Sequence, residues 1–351
     1  MKTILCTLML LFSGVIANAK ITLIDDKPIA GKLLICNLED ERIIDNSKIN
    51  VVVYLYRTSS AEPMYLEQEA VLNNFNKTMA LQLQIPDSTE FAIIKYFANS
   101  KYGIITSQLP VMMYDKSGRA VRNSNYYASL YCTAAMTGAE NADMDYALSM
   151  EYLQKELQAY PNHFMAYLNT LSIKYDQKNI DSKAADSLGK SLLARINDLN
   201  EVESQALAKY FSSIGNNPLS DSLKQVLIKK YPVGMLSEEK FISTLSEKKD
   251  NEFMNLADIF IKQFPNSKQK TNIIEKMVQY YITNQKYDRA ESIMLQNKFV
   301  PPASAIRLAF MYAEKLRDLP RAEALLTKIS NKIKSLSFAD CPDNKSKYEW
   351  S

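Results

Sequence analysis

The chain has 351 residues, a length that predicts two or three domains. Hydrophobic residues make up 47% of the sequence and charged residues 23%, values that exclude a disordered chain. The formal net charge of +3 gives no electrostatic reason to expect binding to nucleic acid or to an anionic membrane surface. With 8 glycines and 1 histidine, a glycine-lined phosphate loop or a site with several histidines is not expected, and we expect no cofactor.

Residues 1–19 have the pattern of an export signal. Lys2 provides the positive start, residues 4–16 form an apolar run, and Ala17-Asn18-Ala19 matches the small-x-small cleavage rule. The apolar run is short for a membrane span, so a membrane anchor is the weaker alternative. We expect a mature chain that begins at Lys20, lies in the periplasm or outside the cell, and does not insert into a membrane after cleavage.

Residues 20–122 have the composition of short β-strands. Residues 51–56 are rich in β-branched and aromatic side chains, and residues 79–85 alternate apolar and polar side chains with a period of two. The predicted strands are 21–24, 32–38, 49–57, 64–70, 79–85, 91–97, 102–107 and 109–114. This spacing predicts an antiparallel immunoglobulin-like β-sandwich.

Residues 123–335 change to the period of amphipathic helices, and proline recurs where helices should end. Pro232, Pro265 and Pro301 are 33 and 36 residues apart, and Pro161 lies about two such intervals before Pro232. Halving that longer interval predicts a boundary near residue 197, where Asn197-Asp198-Leu199-Asn200 offers a helix break. The period predicts an all-α, tetratricopeptide-like solenoid of helical hairpins, followed by a tail at 336–351.

Three cysteines remain after the predicted cleavage: Cys36, Cys132 and Cys341. Cys36 and Cys132 have apolar neighbours, which favours small buried side chains. The alternative is a disulfide between Cys36 and Cys132 that links adjoining domains, since an exported chain meets an oxidising environment. Cys341 is expected to be exposed, as a free thiol or paired with another molecule.

Several short motifs resemble the N-terminal part of exported thioredoxin-like proteins of Bacteroidetes and related bacteria. The motifs are Ile85-Pro86-Asp87-Ser88 before a strand, residues 109–121 where the predicted sandwich ends, and the joints Tyr160-Pro161-Asn162 and Phe264-Pro265-Asn266. The resemblance implies an immunoglobulin-like domain, then tetratricopeptide-type helices, then a thioredoxin domain. A thioredoxin domain requires a C-x-x-C pair, which this sequence lacks, so the resemblance does not extend to reductase activity. Either the chain is a truncated relative, or it works without that domain.

No residue pattern indicates a catalytic or metal site. His163 is the single imidazole, and its position just after a proline predicts a surface residue at a helix start. There is no Gly-x-Ser-x-Gly motif and no recognisable spacing of metal ligands. We therefore expect a protein that is not an enzyme.

Tyrosine is abundant, with 21 residues, and is concentrated in the first two predicted helical units. Tyr126, Tyr127, Tyr131 and Tyr167 are the candidate contacts for a protein or peptide partner, because tyrosine is favoured at interfaces. The alternative is that these side chains pack between helices with their hydroxyls at the rim.

The sequence thus favours an exported, non-enzymatic interaction protein that uses a helical groove. Two rival functions remain: the non-catalytic front of a thiol-disulfide oxidoreductase, and a carbohydrate-binding module. The single tryptophan, Trp350, lies far from the predicted sandwich in sequence, which weakens the carbohydrate hypothesis.

Overall fold

The computed structural model describes residues 20–39, 48–58, 63–71, 78–100, 103–140, 142–267, 269–297 and 302–335. The predicted export signal, the proline joint at Pro301, and the tail that contains Cys341 and Trp350 lie outside these residues. The chain divides into two compact units, Met1–Ala185 and Asp186–Ser351. The predicted change from strands to helices at residue 123 therefore falls inside the first unit.

The first unit begins with antiparallel β-structure. Its described strands are β1 (Lys20–Leu23), β2 (Leu33–Glu39), β3 (Lys48–Tyr56), β4 (Met64–Val71), β5 (Thr78–Gln84), β6 (Phe91–Ser100) and β7 (Gly103–Met112). They form a three-stranded sheet of order β1-β2-β5 and a four-stranded sheet of order β4-β3-β6-β7. The pairings between these strands are antiparallel, as the sequence predicts.

Alternation along the strands places one hydrophobic core against both sheets. In β2, Leu34, Cys36 and Leu38 are buried while the residues between them are half-buried. Val51 and Val53 of β3 belong to the same core. In β2 this period-two pattern removes one row of apolar side chains from water, whereas β3 and β6, the inner strands of the four-stranded sheet, bury side chains on both faces.

The last predicted pair of strands is one strand. The sequence predicts a break between 107 and 109, but β7 continues through both segments and pairs with β6 along its whole length. Within the described residues β7 is an edge strand, which is why it can contain Pro110, a residue without an N–H. The prediction of two strands was wrong, because the pairing with β6 runs through Gln108 without a break.

Helices α1 (Ser124–Tyr131), α2 (Tyr146–Ala159) and α3 (Phe164–Asp176) follow in the first unit. The carboxylate of Asp145 caps α2 by accepting a hydrogen bond of 2.9 Å from the Leu148 N–H. Helix α2 ends just before Pro161, which confirms the predicted joint. Helix α4 (Ser182–Leu192) crosses the division between the two units.

The second unit is helical throughout its described residues. After a 3₁₀ turn (Leu193–Arg195) come α5 (Glu201–Ser213), α6 (Asn217–Lys230), α7 (Met235–Ser246), α8 (Asp250–Gln263), α9 (Lys270–Thr283), α10 (Tyr287–Gln296), α11 (Pro302–Phe310), a π-helical turn (Met311–Lys315) and α12 (Leu319–Lys334). Asn200 caps α5 in a capping box with Glu203, which confirms the helix break predicted near residue 197. The joints at Pro232 and Pro265 are also confirmed, because α6 and α8 end just before them.

Small residues let neighbouring helices of the second unit approach one another. Ala290 and Ala322 are buried in one apolar cluster. The packing is closest at Gly189, where a Cβ would lie 2.6 Å from the ring of Tyr210. Arg321 holds the last helix by donating hydrogen bonds to Glu291 at 2.9 and 2.6 Å, and to Asp288 at 2.6 Å.

Candidate functional site

The first unit has a groove between α2 and α3. Its volume is about 600 Å³, a size that holds several side chains of a bound segment. The lining mixes apolar groups, amides and two charges: Ala147, Met150, Glu151, Gln154, Leu157, Gln158, Thr170 and Lys174. Apolar surface with a few hydrogen-bonding groups can bind a peptide segment through one buried side chain and its backbone.

Helical spacing produces this lining. On α3, the lining residues Thr170 and Lys174 are four residues apart, so they share one face; Tyr167, three residues before Thr170, is on that face but does not line the groove. Tyr167 is 36% exposed, the most accessible of the four tyrosines that the sequence analysis selects. Glu151 pairs with Lys155 at 2.6 Å, so its charge is already compensated, whereas the Lys174 side chain is exposed.

Tyr126 and Tyr127 occupy packed positions. The Tyr126 ring lies 5.2 Å from the His163 ring, and the Tyr127 ring lies 5.2 Å from that of Tyr56. Burial raises the pKa of Tyr126 to about 12 and also raises the pKa of Tyr127. This environment fits the alternative that these tyrosines pack between elements.

Tyr131 lies elsewhere, at a polar cavity beside β7. Its hydroxyl donates a hydrogen bond of 3.1 Å to Oε1 of Gln108, whose Nε2 donates to the carbonyl of Gly138 at 2.9 Å. Burial raises the pKa of the Tyr131 hydroxyl. The structure therefore does not bring the four predicted tyrosines together in one site.

Cys36 and Cys132 are free thiols in the structure, and both are buried. Cys36 is in the core between the sheets, where burial raises its pKa to about 11. Cys132 follows α1 and lines the cavity beside Tyr131; burial raises its pKa as well. Raised pKa values keep both sulfurs protonated, and a thiol is a weaker nucleophile than a thiolate.

The predicted surface location of His163 is wrong. This residue does stand at a helix start, as expected, but it is buried, with 4% of its surface exposed. Its Nδ1 accepts a hydrogen bond of 3.1 Å from the Ala166 N–H and so caps α3. The surface location was wrong because the side chain turns inward to satisfy the helix end and to contact Asn123.

These contacts fix the protonation of His163. Since Nδ1 accepts a hydrogen bond, the hydrogen of the neutral ring is on Nε2, which donates to the Oδ1 of Asn123. Burial, and then the charge of Arg122, lower the pKa of the imidazole to about 4. The ring is thus neutral at ordinary pH, and its 3.6 Å separation from the Glu156 carboxyl is not an ion pair there.

Glu156 and Asn123 complete a buried polar cluster with His163. Oε1 of Glu156 accepts a hydrogen bond of 2.8 Å from the backbone N–H of Asn123, which has a left-handed conformation at φ 70° just before α1. The Asn123 amide also donates to Thr58 at 2.6 Å and to Glu90 at 3.0 Å. Burial raises the pKa of Glu156. Because Glu156 is fully buried, this cluster can fix α1, α2 and α3 against the sheet, but it offers no carboxylate to a substrate.

Sequence reasoning missed this cluster because nothing in the spacing of Asn123, Glu156 and His163 indicates contact. The one local signal is the amphipathic pattern of α2, in which Glu156 follows Leu153 by three residues and so shares its buried face. A carboxylate at a buried position predicts a hydrogen-bonding or charged partner, because burying it without one is costly.

Comparisons with known proteins add no family assignment: no protein-family model matches the chain, and a search of curated proteins finds no significant match. In the part of the chain that the structure describes, no group of three or more histidine, cysteine or acidic residues is arranged to hold a metal ion. None of the helices within these residues is both long and apolar enough to cross a bilayer.

Proposed function

We propose that this is an exported interaction protein without catalytic activity of its own, in which the groove between α2 and α3 binds a segment of another protein. The observation that carries the proposal is the groove itself, an open cavity lined by both apolar and hydrogen-bonding side chains. In this proposal the β-structure is an immunoglobulin-like sandwich and the helices are a tetratricopeptide-like array. Export rests on the pattern of residues 1–19.

The groove defines the chemistry of its partner. Met150 and Leu157 offer a place for one apolar side chain, and Gln154 can donate to and accept from a peptide backbone. Lys174 is exposed and would pair with a carboxylate of the bound segment. The partner is therefore a protein segment with an apolar anchor next to an acidic residue.

Within the part of the chain that the structure describes, the two cysteines are buried thiols, which supports a role without catalysis. A thiol-disulfide oxidoreductase needs an accessible thiol with a lowered pKa, whereas burial raises the pKa of both Cys36 and Cys132. The resemblance to exported thioredoxin-like proteins is in keeping with a role in protein recognition, which is the part that those helices would supply.

Site-specific photo-crosslinking in the producing cells tests the proposal. A photoreactive residue in place of Gln154 should give a discrete adduct with another protein, and the same residue at Gln68, which is exposed on β4, should not. Lys174→Glu should weaken the adduct, because the variant repels the acidic partner and leaves the exposed helix face folded. Absence of a Gln154 adduct, or an equal adduct from Gln68, contradicts the proposal.

A further inference from the structure

The outer edge of β7 presents backbone groups that β6 does not use. Within the described residues β7 is the last strand of its sheet and pairs with β6 alone. Pro110 has no N–H, so it occupies a position that faces away from β6. The pairing is continuous along β7, and alternate residues direct their backbone groups to the same side. Thr106 and Gln108 therefore also direct their N–H and C=O groups outward.

A cavity runs along this edge. Its volume is about 500 Å³, and its lining includes three successive strand residues, Thr106, Ser107 and Gln108. A cavity over one face of a sheet would contact every second residue, because neighbouring side chains point to opposite faces. Contact with all three indicates that the cavity reaches the backbone at the edge of the strand, while Tyr131, which bonds the Gln108 side chain, lines it on one face.

The same edge already accepts a backbone partner a few residues further on. The Tyr114 N–H donates a hydrogen bond of 2.9 Å to the carbonyl of Pro28, and Ile29 forms a parallel bridge with Tyr114. The geometry of this edge therefore permits strand pairing on its outer side. The backbone groups of Thr106 and Gln108 point to the same side as those of Tyr114.

The charge of the cavity selects the partner. Asp143 and Asp145 are both exposed and belong to its lining, whereas none of its lining residues is cationic. The neutral part of the wall includes Tyr131 and Leu148. An incoming strand would place every second side chain towards these carboxylates, so a basic residue at those positions is favoured.

We propose that the outer edge of β7 binds an extended peptide segment with basic side chains by strand addition. The backbone of Thr106 and Gln108 supplies the hydrogen bonds, and Asp143 and Asp145 supply the charge complement. This surface is distinct from the groove between α2 and α3, and it takes a partner of opposite charge.

Hydrogen exchange with a defined peptide tests the proposal. The probe is a blocked peptide of alternating lysine and valine, added to the full chain at low salt. In the free protein, the N–H groups of Thr106 and Gln108 should exchange faster than those of Ser107 and Leu109, which donate to β6. The peptide should slow exchange at Thr106 and Gln108 specifically, and the effect should weaken as salt is added.

Two variants separate the backbone contribution from the charge contribution. Thr106→Pro removes an outward N–H as Pro110 already does, leaves the pairing with β6 intact, and should weaken peptide binding about tenfold. Asp143→Asn should weaken binding several-fold and reduce its salt dependence. Asp258→Asn, which removes an exposed carboxylate on α8 outside both proposed surfaces, should leave peptide binding unchanged.

The results that overturn the proposal are specific. No slowing of exchange at Thr106 and Gln108 at millimolar peptide would exclude strand addition of this class. Equal binding of a peptide with glutamate in place of lysine would exclude the charge complement. Protection of the same two groups that rises with protein concentration alone would assign the edge to a second copy of this chain.

Discussion

The pH dependence of folding stability tests whether burial holds His163 neutral. An imidazole with a pKa of about 4 in the folded chain and about 6.5 in the unfolded chain prefers its neutral form on folding. Each pH unit of difference is worth about 1.4 kcal/mol, so the neutral ring contributes about 3 kcal/mol. No reduction for solvent screening applies, because only 4% of the residue is exposed.

The direction of the effect follows from proton uptake. Below pH 6.5 His163 binds a proton in the unfolded chain but not in the folded chain, so the free energy of unfolding falls as the pH decreases towards about 4. Above pH 6.5 both states are neutral and the contribution is complete. A protonated ring would also lose the Nδ1 acceptor that caps α3.

The assay compares the native chain with His163→Asn. Asparagine can still cap the helix, but it does not titrate, so the stability advantage of the native chain should shrink by about 3 kcal/mol between pH 7 and pH 4. Because the chain has 1 histidine, nuclear magnetic resonance of a protein without a histidine tag reports this ring alone. A native-state titration near pH 6.5, or a stability difference that does not change with pH, would refute the reasoning.

Glu156 provides the matched control. Its pKa is raised by burial, so its contribution is lost as the pH increases through the raised value, the opposite direction to that of His163. Glu156→Gln keeps an acceptor for the Asn123 N–H and removes the charge. The variant should therefore lack the loss of stability that sets in as the pH rises above the ordinary carboxyl pKa, and it should keep the loss towards acidic pH that His163 causes.

Three further predictions concern single side chains. Gly189→Ala should destabilise the chain by about 2 kcal/mol in chemical denaturation, because the new methyl group meets the ring of Tyr210; this cost exceeds the gain in helix propensity. The control is Gly215→Ala, whose methyl group meets no atom within 4 Å, so it should cost only the left-handed backbone penalty of about 1 kcal/mol. Arg321→Lys should lower stability by about 1 kcal/mol, since lysine cannot reproduce the forked contacts of the guanidinium; an unchanged denaturation midpoint would contradict this. Cys36 should resist alkylation in the native chain and react once it is unfolded, as measured by peptide mass mapping; rapid native labelling would show that the thiol is accessible.

Local patterns were sufficient to predict most elements. Prolines at 161, 232 and 265 marked helix ends because a residue without an N–H cannot continue the preceding helix. Asn200 marked a helix start for the same kind of reason, since its side chain satisfies an orphan N–H. The prediction was wrong at β7, because no local signal shows that pairing with β6 continues through Gln108, between the two predicted strands.

The candidate site was predicted less completely. The tyrosine-rich composition predicts a partner surface on the first helices. Only the contacts distinguish Tyr126 and Tyr127, which pack against other rings, from the exposed Tyr167. The groove between α2 and α3 depends on how two helices lie together, and no spacing within either helix specifies its volume.

The sequence by itself determined where strands and helices form, because hydrophobic period, caps and prolines act within a few residues. The tertiary structure alone decided that Asn123, Glu156 and His163 meet, since these residues are up to 40 positions apart. It also decided their protonation, because a pKa depends on desolvation and on partners that only packing supplies. For the same reason a histidine expected in water is a neutral helix cap in the interior.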